Sequence, residues 1–294
     1  MPFTLTRALT LAALLPTLLA SSAAFAQTPD AATLNADQAP FRIYANTYYV
    51  GVKGVSSVLV TSPEGHVLID GGLPESAAKI IANIATLGFR IEDVKMILNS
   101  HGHYDQAGGL AELQQRSDAL VVASPSSALD LAAGEVGPDD PQYKAQPNYP
   151  AVTDMRLARD GNHFYVGPIK LTAHTTPGHT PGGLSWTWQS CEGKRCLNMV
   201  YADDLDPVSR PGFKFSASSE YPNALDDFQH SFDTLEHLPC DVLISARPEA
   251  SKLWQRLEQS VTKGSAAFID PQACHAYVAE ARSALETRLH SEKE

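Results

Sequence analysis

"NSHGHYDQAGG", Asn99 to Gly109, decides how the rest of the chain is read. It follows directly on "VKMIL", a short apolar run with the length and composition of a buried strand. In extended backbone, residues i and i+2 point the same way, so His101 and His103 can offer their imidazoles to one ion. Asp105 stands two residues further on, and Gln106 sits where a third histidine would complete the pattern. An H-x-H pair alone is a weak signal, since many such pairs are surface accidents. Its weight grows with "TTPGHTPGG" (Thr175 to Gly183), which sets His179 in a Gly/Pro-rich loop after another strand-like segment. Three neutral imidazoles plus water is the layout of a catalytic zinc site with one open position.

Outward from this stretch, strand and helix signals alternate. "FRIYANTYYVGV", "VSSVLVTS" and "HVLIDGG" read as strands, with "PEG" (Pro63 to Gly65) as the tight turn between the last two, and His66 is expected in a turn. "PESAAKIIANIATLGF" has helical spacing, with Ile80, Ile81, Ile84 and Leu87 on one face. "GGLAELQQRS" starts a helix and "ALVVAS" is a strand. The second half alternates in the same way. Strands are expected in "HFYVGPIKLTAHTTPGHT", "GGLSWTWQS" and "NMVYADDL", a helix in "NALDDFQHSFDTLEHL", a strand in "DVLISA" and a closing helix in "ACHAYVAEARSALETRLH". Two β-rich halves, each with helices, point to two sheets packed face to face with helices outside. Residues 133–152 form a long Pro-rich stretch without a period, of the kind that often carries function. Tyr143 and Tyr149 within it could line a pocket.

The first residues read as a leader. One early charge, Arg7, precedes an apolar run from Ala8 to Ala20, and Ala24 to Ala26 ("AFA") form a small-x-small cleavage pattern. Residues 1–26 are therefore expected to be a signal peptide and residues 27–294 a single exported, periplasmic domain, with residues 27–40 a loose arm. The apolar run is short for a membrane span, and no later stretch is longer. The formal charge of −11 argues against nucleic acid and anionic membranes as partners. Four cysteines in an exported chain favour disulfides. Cys191 and Cys196 bracket "EGKR" and could staple a hairpin, which leaves Cys240 with Cys274; a cysteine metal site is the rival, disfavoured by the spacing.

"TSPEGHVLIDGG", "NSHGHYDQAGG", "TTPGHTPGG" and "YADDL", in this order and spacing, resemble the motifs of the metallo-β-lactamase superfamily, and most of all its third subclass of metallo-β-lactamases. The resemblance covers nearly the whole exported chain and includes a Cys240–Cys274 pair. It implies an αββα sandwich with the site at one edge between two mixed β-sheets. It also implies that His101, His103 and His179 bind the first metal and that Asp105 belongs to a second metal site. Gln106 falls where that second site has a histidine, and Arg247 in "ISARPEAS" falls where it has another. A guanidinium has no lone pair for a metal, and a glutamine carbonyl is a weak ligand. One zinc per chain is the expectation.

A three-histidine zinc lowers the pKa of its water to ~7, so one metal can generate hydroxide to open a β-lactam ring. Asp105 would orient that water, and Arg247 would stand in for the second ion on the substrate carboxylate or developing charge. The bland reading of Arg247 is a structural ion pair with Asp105, with Gln106 completing the network. Asp204 and Asp206 lie where the family usually has hydroxyls that grip the substrate carboxylate, so they are candidate substrate contacts that alter specificity, or else cap the following turn. The expected protein is a monomer acting on a small molecule, a β-lactam or alternatively a lactone or ester; the remaining alternative is a non-catalytic zinc-binding protein. The other histidines carry no ligand role, and Trp186 and Trp188 are expected to pack in a sheet.

Overall fold

A computed structural model describes Met1 and residues 30–293; apart from Met1, the expected leader lies outside the described residues. A one-turn helix α1 (Ala31–Leu34), capped by the Asp30 carboxylate, opens the described chain. The arm is not loose there: Leu34 packs with Val52, Val55 and Leu73. Four strands follow, β1 (Phe41–Tyr44), β2 (Thr47–Tyr49), β3 (Val58–Val60) and β4 (His66–Ile69). The single strand expected over "FRIYANTYYVGV" is broken into the β1–β2 hairpin, because Ala45 turns the chain with φ of 44°. His66 is not in a turn: it is the first residue of β4 and is buried against Phe89.

Next come α2 (Ser76–Thr86), β5 (Val94–Leu98), the single turn α3 (Tyr104–Ala107), α4 (Leu110–Ser117), β6 (Leu120–Ala123), α5 (Pro125–Ala133) and β7 (Met155–Leu157). The elements expected from the sequence do not include α5, although its start and stop signals are present. Ser124 caps it through Ser127 N, Pro125 is the first residue, and Gly134 ends it with a positive φ. The strands β8 (His163–Val166), β9 (Ile169–Thr175), β10 (Leu184–Glu192) and β11 (Arg195–Ala202) precede α6 (Ala224–His237), β12 (Val242–Ser245), α7 (Leu253–Lys263) and α8 (Ala273–Ser291).

The strands form two mixed sheets, ordered β1-β2-β3-β4-β5-β6-β7 and β12-β11-β10-β9-β8. Strands β1 to β4 pair antiparallel and β4 to β7 parallel, while in the second sheet only β11–β12 is parallel. Side-chain alternation then assigns the layers. Val58, Val60, Val67, Ile69, Met96, Leu98 and Val122 face the second sheet and meet Trp186, Trp188, Met199, Tyr201 and Ile244. The intervening Leu59, Leu68, Ile97 and Val121 face outward onto α2, α4 and α5. On the far side, Val200, Ala202 and Leu243 are covered by Phe228 and Phe232 of α6 and Val278 of α8. Both faces of each sheet are apolar because both are covered, and the result is the αββα sandwich.

Two disulfides brace the second half. Cys191 stands directly opposite Cys196 in the β10–β11 hairpin, and Cys240 joins the approach to β12 to the start of α8. Among the described residues, no helix is long and apolar enough to cross a membrane.

Candidate metal centre

The site lies where β5, β9 and β11 end. Asn99 and Ser100 leave β5 in a turn fixed by a buried carboxylate: Asp70 accepts from Ser100 N and Ser100 Oγ, each at 2.7 Å, and from Tyr201 OH at 2.7 Å. Asn99 Nδ2 donates to His101 O at 2.7 Å. His103 remains extended, with φ −71° and ψ 150°, immediately before α3. The two histidines therefore diverge from one strand end onto a common centre, while Asp105 and Gln106 turn back along α3. The glycines that follow are required by contact. A Cβ on Gly109 would stand 2.3 Å from Gly71 O, and one on Gly183 would stand 2.3 Å from Thr176 O and 2.4 Å from Asp203 Oδ2.

His101, His103 and His179 are all buried, and one ring nitrogen from each lies within 4.8 Å of the others. The opposite nitrogens are all engaged. His101 Nδ1 meets Asp203 Oδ1 at 2.6 Å, His103 Nε2 meets both oxygens of Asp140 at 3.0 Å, and His179 Nδ1 donates to Asp206 O at 2.6 Å. A carbonyl or carboxylate oxygen in these places accepts, so each outer nitrogen carries the hydrogen. In a neutral ring the inner nitrogen then carries a lone pair. His103 Nδ1 and His179 Nε2 face each other at 3.1 Å, two lone pairs against each other unless a cation or a proton lies between them. This donor set fits a cation such as zinc, with His101 Nε2, His103 Nδ1 and His179 Nε2 as the ligand atoms. Burial lowers the His101 pKa, but the Asp203 carboxylate outweighs it, aided by Asp105 and Asp70, and raises it to about 9. The same carboxylate that favours a proton on His101 favours a cation on its inner nitrogen, and metal binding there competes with protonation.

Beside the histidines lies the pair of substitutions. Arg247, just beyond β12, makes an ion pair through Nη2 with Asp105 Oδ2 and reaches Asp204 Oδ2 through Nε at 3.4 Å. Burial raises the Asp105 carboxyl, but Arg247 and then His101 and His103 outweigh it and hold it below the ordinary carboxylate value. Asp204 is likewise held down at about 2, burial being outweighed by His179 and Arg247. Gln106 is fully buried and donates Nε2 to Ala246 O at 3.2 Å, anchoring the backbone just before Arg247. Asp105 Oδ1 and Gln106 Oε1 have no hydrogen-bond partner among the described residues. The guanidinium thus lies among the atoms at the expected second-metal positions.

Asp204 does cap a turn: it is buried and accepts from Asp206 N at 2.9 Å, whereas Asp206 is exposed. A cavity of about 290 Å³ opens beside them, lined in part by Asp204, Asp206, Arg247 and Tyr277. Trp186 and Trp188 pack between the sheets, as their alternation implied. Tyr149 is buried and donates to Gly102 O at 2.6 Å, bracing the turn between the two histidines, while Tyr143 stacks near Arg210.

Sequence reasoning missed the outer partners. Asp203 lies inside the quoted "YADDL", but nothing in one sequence says which aspartate faces a histidine. Asp140 and Gln142 come from the long loop, whose lack of a period gave no residue-level signal. Gln142 Nε2 lies 3.4 Å from His103 Nδ1 and 3.5 Å from His179 Nε2, and its Oε1 accepts from Gln146 at 2.7 Å.

Residues 50–188 match the family model of the metallo-beta-lactamase superfamily. Among solved structures, the chain is similar to the Rm3 metallo-beta-lactamase, with 78% identity and a TM-score of 0.89, covering 90% of this chain and 98% of that one. It is also similar to MEM-A1, a subclass B3 metallo-beta-lactamase from a soil metagenome library, with 48% identity, a TM-score of 0.87, and 88% and 98% of the two chains covered. A curated relative, the probable metallo-hydrolase YflN of Bacillus subtilis, is 27% identical over 154 residues, 48% of this chain. The chain spans 55% of that relative's length.

Proposed function

We propose, because the chain belongs to the metallo-beta-lactamase superfamily and is a metal-dependent hydrolase, that it opens β-lactam rings with a single zinc held by His101, His103 and His179. The observation that carries this is the convergence of three inner imidazole nitrogens whose outer nitrogens are all committed to protein acceptors. When bound there, zinc supplies a Lewis acid and makes water a nucleophile near neutral pH.

The remaining chemistry belongs to the chain. Asp105 is ionised, and its Oδ1, unpartnered while Oδ2 is engaged by Arg247, can orient a water and accept its proton. Arg247 places a fixed cation where the resemblance implies a second metal ion. Its Nη2 and Nε are spent on Asp105 and Asp204, while its side chain keeps 26% exposure, enough to meet a substrate carboxylate. The flanking Asp204 and Asp206 weaken that grip, so anionic substrates are held less firmly than at a site with two metal ions. The cysteine pairing supports the reading of an exported, periplasmic protein, since disulfides persist in oxidising compartments.

The experiment counts zinc per chain and follows cephalosporin hydrolysis with and without a chelator. One zinc and turnover that the chelator abolishes support the reading. Two zincs remove the role given to Arg247; zinc with lactone but no lactam turnover moves the substrate to esters. Zinc without any turnover leaves Asp105, Gln106 and Arg247 as a structural network.

A further inference from the structure

The outer partners of the three histidines share one support. Asp203 and Asp206 both lie on the segment that leaves β11, and this segment continues through Arg210 to Ser216. Arg210 extends the support to the third histidine. Its Nη1 donates to Asp140 O and its backbone N to Pro141 O, both at 2.9 Å, and Asp140 is the partner of His103. Whatever fixes residues 203–216 therefore fixes the acceptors behind all three ligands.

That fixing comes from α8. Near its start, Tyr277 OH donates to Asp203 O at 2.7 Å. At its far end, the Glu292 carboxylate is buried and accepts from Phe215 N at 2.9 Å, Ser216 N at 3.0 Å and Ser216 Oγ at 2.6 Å. Arg288, one turn earlier, donates Nε to Glu292 at 2.9 Å and Nη2 to Ser209 Oγ and Phe213 O, both at 2.7 Å. A buried carboxylate that takes three hydrogen bonds from one loop and one from its own helix is a clamp, since each of those backbone donors would otherwise be left unpaired.

We infer that Arg288 and Glu292 are positioning residues of the metal centre: they hold residues 209–216 to α8 and thereby set the acceptors that orient His179 and, through Arg210, His103. The inference rests on the zinc reading above, and it concerns metal affinity rather than the lactam chemistry. Neither residue touches a ligand histidine. Their effect passes through Asp206 O and Asp140, and loss of such outer partners costs on the order of 10- to 100-fold in metal affinity.

The test is a chelator competition that measures zinc affinity on the full chain, alongside thermal melting of the metal-free protein. Glu292→Ala and Arg288→Ala are expected to weaken zinc binding roughly 10-fold, with Glu292→Gln intermediate because one oxygen acceptor remains. Arg282→Ala is the control. It breaks ion pairs from the same helix to Asp233 and Glu236 on α6 and touches nothing in residues 203–216. It should lower the melting temperature while leaving zinc affinity unchanged. Parental zinc affinity in Glu292→Ala, or an equal loss in Arg282→Ala, overturns the inference while leaving the zinc reading intact. A parent chain that takes up no zinc overturns both. If Glu292→Ala does not fold, the comparison of Glu292→Gln with Arg282→Ala decides.

Discussion

Two neighbouring clusters occupy the edge of the sandwich, and they solve opposite electrostatic problems. In the histidine cluster, every outer nitrogen is satisfied by the protein and the inner nitrogens converge, so the arrangement favours a cation at their centre. In the adjoining cluster, the carboxylates of Asp105 and Asp204 already have their cation, because Arg247 is paired to both. The same protein edge therefore sets a donor cluster that fits a metal beside a carboxylate pair already neutralised by a side chain. A guanidinium is tethered and always charged, but it offers no Lewis acidity.

The sharpest way to break this contrast is to remove the tethered cation. Arg247→Ala is expected to lower cephalosporin turnover by about 10²-fold, in the range seen when one preorganised charge-stabilising donor is lost, with zinc content unchanged at one per chain. Full activity with one zinc would show that the guanidinium has no part in catalysis. The converse is to make the second cluster resemble the first. Gln106→His with Arg247→His supplies two imidazoles beside Asp105, and zinc content measured by elemental analysis should rise from one to two per chain. A double variant that still binds one shows that the geometry, not only the ligand type, excludes the second ion.

Within the histidine cluster, Asp203→Asn exchanges the carboxylate behind His101 for a neutral amide. Zinc affinity should fall by about 10-fold or more, and the backbone contact from Tyr277 to Asp203 O should persist. An unchanged dissociation constant would mean that Asp203 does not tune the ligand.

The smallest expected effect concerns a carboxyl packed against Gly102, behind the histidine cluster. Burial pushes Asp130 up to about 7; Asp140 and Asp139 add to the rise, and the Gly137 N–H opposes it. An aspartate raised in the folded chain stays protonated there while the unfolded chain ionises above about 4. Its stability contribution is therefore greatest below that value, is lost as pH climbs toward 7, and remains as a constant penalty above. Asp130→Asn keeps the acceptor for Gly137 N and removes the penalty. Denaturant melts at pH 8 should show a gain on the order of 1–3 kcal/mol that vanishes near pH 4. A gain of equal size at both pH values would assign it to something other than ionisation.

Much of the fold was legible because its rules are local. Short apolar runs bounded by turn signals, "VLV", "HVLI" and "VKMIL", gave strands, and the spacing of Ile80 and Ile84 gave the buried face of α2. The hairpin inside "FRIYANTYYVGV" escaped because its turn rests on a positive φ at an alanine, which carries no turn signature. His66 was misplaced because the strand pairing that buries it, with Val94, joins segments far apart in sequence.

By itself the sequence determined the ligand types. Two histidines at i and i+2 after a strand and a third in a Gly/Pro loop follow from residue identity and spacing; that Gln106 and Arg247 take the place of two further donors is what the resemblance implies. Only the tertiary structure decided which nitrogen of each imidazole faces inward, because Asp203, Asp140 and Asp206 O reach the site from segments that fold in from elsewhere. It also decided where the charge of Arg247 goes. A cation's partners are set by which carboxylates the packing of α3 and β12 brings within reach, and no local pattern records that distance.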